Sequence, residues 1–303
     1  MLPIPFSQCP FCLSSAINKA FSIKDYSISQ ESFELFKCQT CSLLFTQNPP
    51  FESNIGSYYE SNQYISHSDT TKGLIAKTYH WIRTFMLRKK RMIIDPLSQI
   101  KKVIDIGSGT GYFLNEMKSN GYEVLGIEKN KSARDFSIEH FKIDVRDPET
   151  LLSGTLMNTF DVATMWHVLE HIYDPKLYLS AIRNALTQNG YLIIAVPNYQ
   201  SYDATHYKEL WAAYDVPRHL WHFDYKTIQQ LVHPIGFKLM GIKRMPFDSY
   251  YVAMLSESFN KKALSIVKAL IIGFISNVIS RFNPKKTSSI LYIFQKINVT
   301  NNE

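Results

Sequence analysis

The run Val103-Ile104-Asp105-Ile106-Gly107-Ser108-Gly109-Thr110-Gly111-Tyr112 carries an apolar strand straight into a turn of three alternate glycines that opens a helix. Glycines at alternate positions let the backbone turn tightly and let a ligand approach it closely, where side chains would intrude. The run therefore predicts a small-molecule cofactor at a strand-to-helix turn. Spacing separates two classes of cofactor. A dinucleotide fingerprint of the form G-x-G-x-x-G would place its last glycine at position 112, which is Tyr112 here, so the pattern is D-x-G-x-G-x-G instead.

A lone glycine-rich turn after a strand is more often plain turn chemistry than a cofactor site. Order is what raises this one above that reading. Val124-Leu125-Gly126-Ile127-Glu128 reads as a second strand ending in a carboxylate that can accept both ribose hydroxyl protons. Phe160-Asp161-Val162-Ala163-Thr164-Met165 reads as a fourth strand, followed by Trp166-His167-Val168-Leu169-Glu170-His171-Ile172-Tyr173-Asp174-Pro175. Asn189-Gly190 then precedes an apolar run, Tyr191 to Val196, that closes on Pro197-Asn198.

These four ordered segments resemble the motifs of class I S-adenosylmethionine-dependent methyltransferases. The resemblance implies an α/β fold, a doubly wound Rossmann-like sheet, with S-adenosylmethionine held by Asp105, Gly107, Ser108, Gly109, Gly111 and Glu128. Asp144, taken to follow a short third strand at Phe141-Lys142-Ile143, is the expected contact to the adenine amino group, and His167 falls among the cofactor-lining positions. His167 and His171, four apart on an expected helix, read as one satisfied helix face rather than a metal pair.

The four cysteines of the chain form two C-x2-C knuckles, Cys9-Pro10-Phe11-Cys12 and Cys38-Gln39-Thr40-Cys41, with 25 residues between them. This is zinc-ribbon spacing: each knuckle sets two thiolates on one side of a tight turn, and two knuckles close a tetrahedral, structural Zn²⁺ site. Disulfides or a redox pair are the alternatives, but Met1 to Phe6 show no signal-peptide pattern and no βαβ unit surrounds either knuckle. Export is not expected, and the cytoplasm is the expected location. Strand-like alternation at Phe21 to Lys24 and Phe33 to Phe36 suits an antiparallel ribbon.

Asn48-Pro49-Pro50 punctuates the chain, giving a ribbon over 1–50, a helical cap over 51–100 rich in aromatics (Tyr58, Tyr59, Tyr64, Tyr79, His80, Trp81), and a catalytic domain over 101–303 with a helical insertion about 246–287. After the fifth strand, Tyr214-Asp215-Val216-Pro217-Arg218-His219-Leu220-Trp221-His222-Phe223 resembles a D-x-P-R-H-L segment of a methyltransferase subgroup and is expected over the cofactor methyl. An imidazole titrating near neutrality can take a proton from an attacking hydroxyl. His219 is the first candidate base and His222 the second, with Tyr214 or Asp215 to orient them. A purely hydrogen-bonding role for both is the competing reading.

Sugar C-methyltransferases share this layout, but their loop carries a different Tyr/His/Glu arrangement and they have a further carboxyl-terminal domain. A glycan, lipid-linked or other small-molecule acceptor follows, with O-, N- or C-methylation left open. The formal charge of +7 suits an anionic partner and keeps an RNA methyltransferase as the alternative, although the ribbon carries no dense basic stripe. A non-catalytic cofactor-binding protein is the third reading. Along 263–282, Leu264, Val267, Leu270, Ile271, Phe274, Ile275 and Val278 share a helical face opposite Ser265, Lys268, Ser276 and Ser280, with Lys261, Lys262, Arg281, Lys285 and Lys286 flanking. That face is expected to pack on its own domain or a second copy, ahead of peripheral contact with an inner membrane surface.

Overall fold

The computed structural model describes residues 5–59, 74–259 and 264–298; Tyr64, Lys261, Lys262 and the side chains of Tyr79, His80 and Trp81 lie outside the described residues. In chain order the elements are β1 (Ile17–Lys24), β2 (Ser32–Cys38), β3 (Leu44–Thr46), α1 (Leu74–Ile94), β4 (Lys102–Ile106), α2 (Tyr112–Lys118), β5 (Glu123–Ile127), α3 (Lys131–Phe141), β6 (Asp144–Arg146) and α4 (Pro148–Leu152). They continue with β7 (Phe160–Trp166), α5 (Pro175–Ala185), β8 (Leu186–Pro197), α6 (Tyr202–Tyr207), β9 (Trp221–His222), α7 (Tyr225–Val232), β10 (Phe237–Arg244), α8 (Pro246–Ser258), α9 (Ser265–Phe282) and β11 (Ser289–Lys296).

A seven-stranded sheet runs β10-β11-β8-β7-β4-β5-β6. Its β8-β7-β4-β5-β6 part is parallel, and β11 enters antiparallel between β8 and β10. Burial on both faces explains why these strands read as unbroken apolar runs rather than alternations. Neighbouring residues still diverge: Ile104, Met165 and Ile194 join the core on one face, Val103, Val162 and Ile193 that on the other. The strand order reverses between β4 and β7, so the crevice beyond their carboxyl ends is where a ligand binds in such sheets.

β1, β2 and β3 form the expected antiparallel ribbon, but β3 goes on to pair with β9 (Leu44↔His222, Phe45↔Trp221), which makes a four-stranded sheet β1-β2-β3-β9. The ribbon thus shares its sheet and its core with the loop after β8. Cys9, Cys38 and Cys41 belong to the same buried cluster as Trp221, Phe223 and the large sheet.

Two expectations need correction. The third strand of the sequence reading is β6, so Asp144 opens it rather than following it, and Lys142 caps α3 in the left-handed region (φ 54°). The apolar face of α9 does not pack inward: Val267, Leu270, Ile271, Phe274 and Val278 are exposed, while Ala269, Ile272, Gly273, Ser276 and Ser280 are buried. Small and hydroxyl residues win that interface because the backbones approach closely; a β-carbon at Gly273 would lie 2.6 Å from the Tyr250 ring.

Candidate active site

Gly107, Gly109 and Gly111 all sit at positive φ (70°, 53° and 77°), the left-handed region that disfavours side chains. Their surroundings differ. A β-carbon on Gly107 would overlap Val168 Cγ2 and one on Gly111 would meet Ser137 Oγ at 2.7 Å, whereas one on Gly109 meets nothing within 4 Å. The outer glycines pack against protein, and the middle one faces open cleft. Ser108 Oγ is buried there with no hydrogen-bond partner. Glu128 accepts from the Gly109 amide at 2.8 Å and from Asn130 N–H at 2.8 Å, so its carboxylate is pinned at the turn.

Asp105 is buried and accepts from Thr164 Oγ1. Burial pushes its carboxyl up, and burial likewise pushes down the ammonium of Lys90, which lies 4.2 Å over the Trp166 ring and acts on Asp105 electrostatically. Lys90 is the member of the basic run Arg88-Lys89-Lys90-Arg91 that turns inward, beside the cofactor turn. Asp144, by contrast, is exposed and paired to Arg146 two residues before the carboxyl end of β6, so it is not brought to the cleft. An open cradle at Gly109, an unsatisfied hydroxyl at Ser108, a fixed carboxylate at Glu128 and a cation at Lys90 fit the ribose, amino and carboxylate groups of an adenosyl amino acid. Gly109→Arg should place a guanidinium in the cleft and weaken binding of the demethylated cofactor product by more than about a hundredfold, about 2.7 kcal/mol, in calorimetric titration.

The segment after β7 is not an α-helix. Trp166 ends the strand, His167 takes a left-handed φ of 57°, and a single 3-10 turn covers Leu169–His171. His167 and His171 therefore do not share a helix face. His167 Nε2 lies 3.2 Å from Asp248 of α8, and its Nδ1 lies 3.5 Å from Glu170. Burial would lower the imidazole, but the two carboxylates overcome it and hold His167 up at about 10. His167 is thus a cation at neutral pH, directly beside the Gly107–Val168 contact.

Glu170 is buried, and neither of its carboxylate oxygens accepts a hydrogen bond. Facing it are His171 and His219, whose rings meet edge to face at 4.5 Å. His171 Nδ1 lies 3.0 Å from the Arg218 carbonyl and His219 Nδ1 lies 2.9 Å from the Ala213 carbonyl. A carbonyl only accepts, so Nδ1 of His219 carries the hydrogen and its Nε2 presents the lone pair of the neutral ring, whereas His171 Nδ1 is shared between the Arg218 carbonyl and the Tyr59 hydroxyl at 2.9 Å. One oxygen of Glu170 and one nitrogen of each histidine fall within 4.8 Å of one another, a donor set able to take a proton or a cation.

His222 does not join this group. It lies in β9, its Nε2 is 3.2 Å from Thr46 Oγ1, and Tyr214 stacks edge-on at 5.4 Å. Burial first, then the charge of His219, drives it well below the ordinary imidazole value. The structure makes His222 a brace of the loop rather than a base.

The loop is fixed from the ribbon side. Thr46 Oγ1 donates to the His219 carbonyl at 2.7 Å, and Thr46 N–H donates to Leu220 O at 2.9 Å. Buried Arg218 bonds Asp215 at 2.6 Å, Asp25 of the ribbon at 3.0 Å and the Tyr58 carbonyl at 2.8 Å. Asp215, so held, reaches to 3.9 Å from His219 Nε2. Glu170, Arg218, Asp25, Thr46 and Asp248 went unassigned in the sequence; only Glu170 and Arg218 carried a signal, as members of the quoted motifs.

At the knuckles, Cys9 and Cys41 Sγ are 3.6 Å apart and Cys12 and Cys38 Sγ 3.5 Å, all four are free thiols, and all four sulfurs lie within 4.8 Å of one another. Tetrahedral Zn–S bonds of about 2.3 Å set sulfurs about 3.8 Å apart, so the cluster is compatible with a zinc ribbon.

A family profile described as a methyltransferase domain matches residues 79–240. Ubiquinone biosynthesis O-methyltransferases are among the curated relatives: the mitochondrial protein of Schizosaccharomyces pombe is 28% identical over 102 residues (31% of this chain, 37% of that one). That of Paraburkholderia phymatum is 28% identical over 113 residues (32% and 45%). The chain spans less than half the length of these relatives. Among solved structures, a methyltransferase bound to the Trm112 activator of Haloferax volcanii aligns with a TM-score of 0.52 at 12% identity, covering 71% of this chain and 91% of that one. A Galdieria sulphuraria structure described as a sarcosine dimethylglycine methyltransferase aligns at 0.50 and 12% identity, over 71% and 86%. These show the fold. With more than half its length inside the family profile and a glycine turn open to a ligand at Gly109, the chain belongs to the methyltransferase-domain family, the S-adenosylmethionine-dependent class its motifs resemble.

Proposed function

We propose that this chain methylates a hydroxyl group of a small or lipid-linked acceptor, with His219 as the base. The observation that carries this reading is the Nε2 of His219, left free by the Ala213 carbonyl on the opposite nitrogen and flanked by the buried carboxylate of Glu170, whose other side faces His167 at 3.5 Å. S-adenosylmethionine, when bound, supplies a methyl group on a good leaving group, so the residues of the chain have to align the nucleophile and relieve it of a proton. Glu170 can accept the acceptor hydroxyl or a second hydrogen of the acceptor, His219 takes the proton, and the Asp215 carboxylate at 3.9 Å faces the imidazolium that results. The naming of the partial relatives as O-methyltransferases supports oxygen as the target.

The same proposal places one Zn²⁺ on Cys9, Cys12, Cys38 and Cys41 as a closed structural site. His219→Gln is expected to lower kcat about 10²- to 10⁴-fold with binding of the demethylated cofactor product unchanged. Retained turnover in that variant, measured by labelled-methyl transfer to phenolic and glycan acceptors on which the wild type is active, would remove His219 from the chemistry.

A further inference from the structure

We infer that the hairpin of α8 and α9 docks on the surface of an anionic lipid bilayer. Ile266, Leu270, Ile271, Phe274 and Phe282 of α9 are 49 to 84% exposed, and Phe247 of α8 extends the same surface. The Phe247 ring meets Phe85 of α1 at 6.1 Å, so the patch continues onto a third helix. Soluble proteins rarely leave so large an apolar surface bare; a contiguous one marks a docking site.

Charge identifies the occupant. The only acidic residues of α8 and α9 are Asp248 and Glu257, and both point inward, to His167 and Lys268. Around the patch stand Lys89, over the Phe85 ring, and the exposed Arg281. An apolar face with a cationic rim and no outward carboxylate complements lipid tails beneath anionic headgroups. A second copy docking by the same face would bring like charges together along one seam, with nothing to neutralise them.

The helix lies on the bilayer rather than crossing it. It is long and apolar enough to span by length and composition, but its inner face is bonded to the domain: Ser276 Oγ donates to buried Asp203 at 2.9 Å, Asn277 and Ser280 oxygens accept from Arg244, and Gly273 packs on Tyr250. Spanning would strip these groups of partners in hydrocarbon. Because Phe247 and Asp248 are consecutive, docking brings the His167 edge of the cleft to headgroup level, where an acceptor carried in the bilayer would be presented.

The test is co-sedimentation of the full chain with vesicles of phosphatidylcholine alone and of phosphatidylcholine mixed with phosphatidylglycerol. Binding to the mixed vesicles, weakened by salt, is expected, with little on phosphatidylcholine alone. Ile271→Asp combined with Phe274→Asp should abolish it, and Arg281→Gln or Lys89→Gln should each lower affinity about fivefold. The exposed positions leave thermal unfolding unchanged, which separates lost docking from lost folding. A wild-type chain that stays in the supernatant overturns the inference. So does a chain that dimerises in sedimentation velocity through Phe274 and ignores both vesicles.

Discussion

Chelation of the four-thiol site, or Cys38→Ser, is expected to disorder the loop that carries His219 as well as the ribbon, with loss of methyl transfer. Structural zinc sites of this ligand type contribute about 10 to 16 kcal/mol of apparent binding energy, comparable with the whole stability of a domain. The ribbon has little core of its own: β1 and β2 form one hairpin, and the buried apolar side chains it contributes are Ile23, Leu35, Leu43, Leu44, Phe45 and the thiols. Once β3 detaches, β9 loses its strand partner, the His219 carbonyl loses Thr46, and Trp221 loses Phe11 at 5.2 Å. Arg218 then loses Asp25 and keeps Asp215 and the Tyr58 carbonyl, leaving a buried guanidinium partly unpaired. The glycine turn lies on the other side of this chain of contacts, held by β4, Val168 and Ser137. Metal analysis should find about one zinc per chain, and hydrogen exchange after chelation should deprotect the amides of β9, residues 221–222, while the demethylated cofactor product still binds. A metal-free protein that keeps those amides protected would show that the ribbon stands without its ion.

The cofactor half of the site was legible because its signals are local. Asp105, the glycines and Glu128 follow one another along strand, turn, helix and strand, and each constraint is satisfied within a few residues of where it is written. The acceptor half depends on contacts that sequence proximity does not record. Thr46 and His219 are 173 residues apart, and nothing in the tripeptide Leu44-Phe45-Thr46 says that its far edge takes up Trp221 and His222. The inward turn of Lys90 is not written in the run Arg88 to Arg91, because the helical period alone does not say which of the four meets the sheet. Asp144 was misplaced by the length of α3, which runs through Phe141 where alternation suggested a strand. In α9 the period was right and the direction was reversed. Periodicity finds the apolar face, but here close helix packing through Gly273 and hydrogen bonds from Ser276 decided which face turns inward. The same exposed face is what directs attention to a lipid surface.

Folding stability should fall steeply between about pH 6.5 and pH 4, before the carboxylates of the site begin to titrate. Burial, then the charge of His219, depresses His171 to about 4, against facing carboxylates at Glu170 and Asp215 and the Arg218 carbonyl. Burial and His219 likewise hold His222 well below its usual value, with Asp215 opposing. In this window the unfolded chain binds protons on these rings and the native chain does not, so unfolding gains as pH drops. For His171 alone the separation amounts to about 3 kcal/mol, complete above pH 6.5 and exhausted near pH 4. Asp25, Glu170 and Asp215 are all held below their ordinary values, so their share is lost only at still lower pH. His167 has the opposite sign: held at about 10 by Asp248 and Glu170 despite burial, it adds stability that is complete below pH 6.5 and lost as pH rises through 10. The two tendencies place the optimum near neutrality. Urea unfolding of His222→Gln and of His171→Gln at pH 7 and pH 5 measures the effect, since each variant should lose part of the acid sensitivity. If both retain the wild-type difference between the two pH values, the buried imidazoles are not what makes the fold labile to acid.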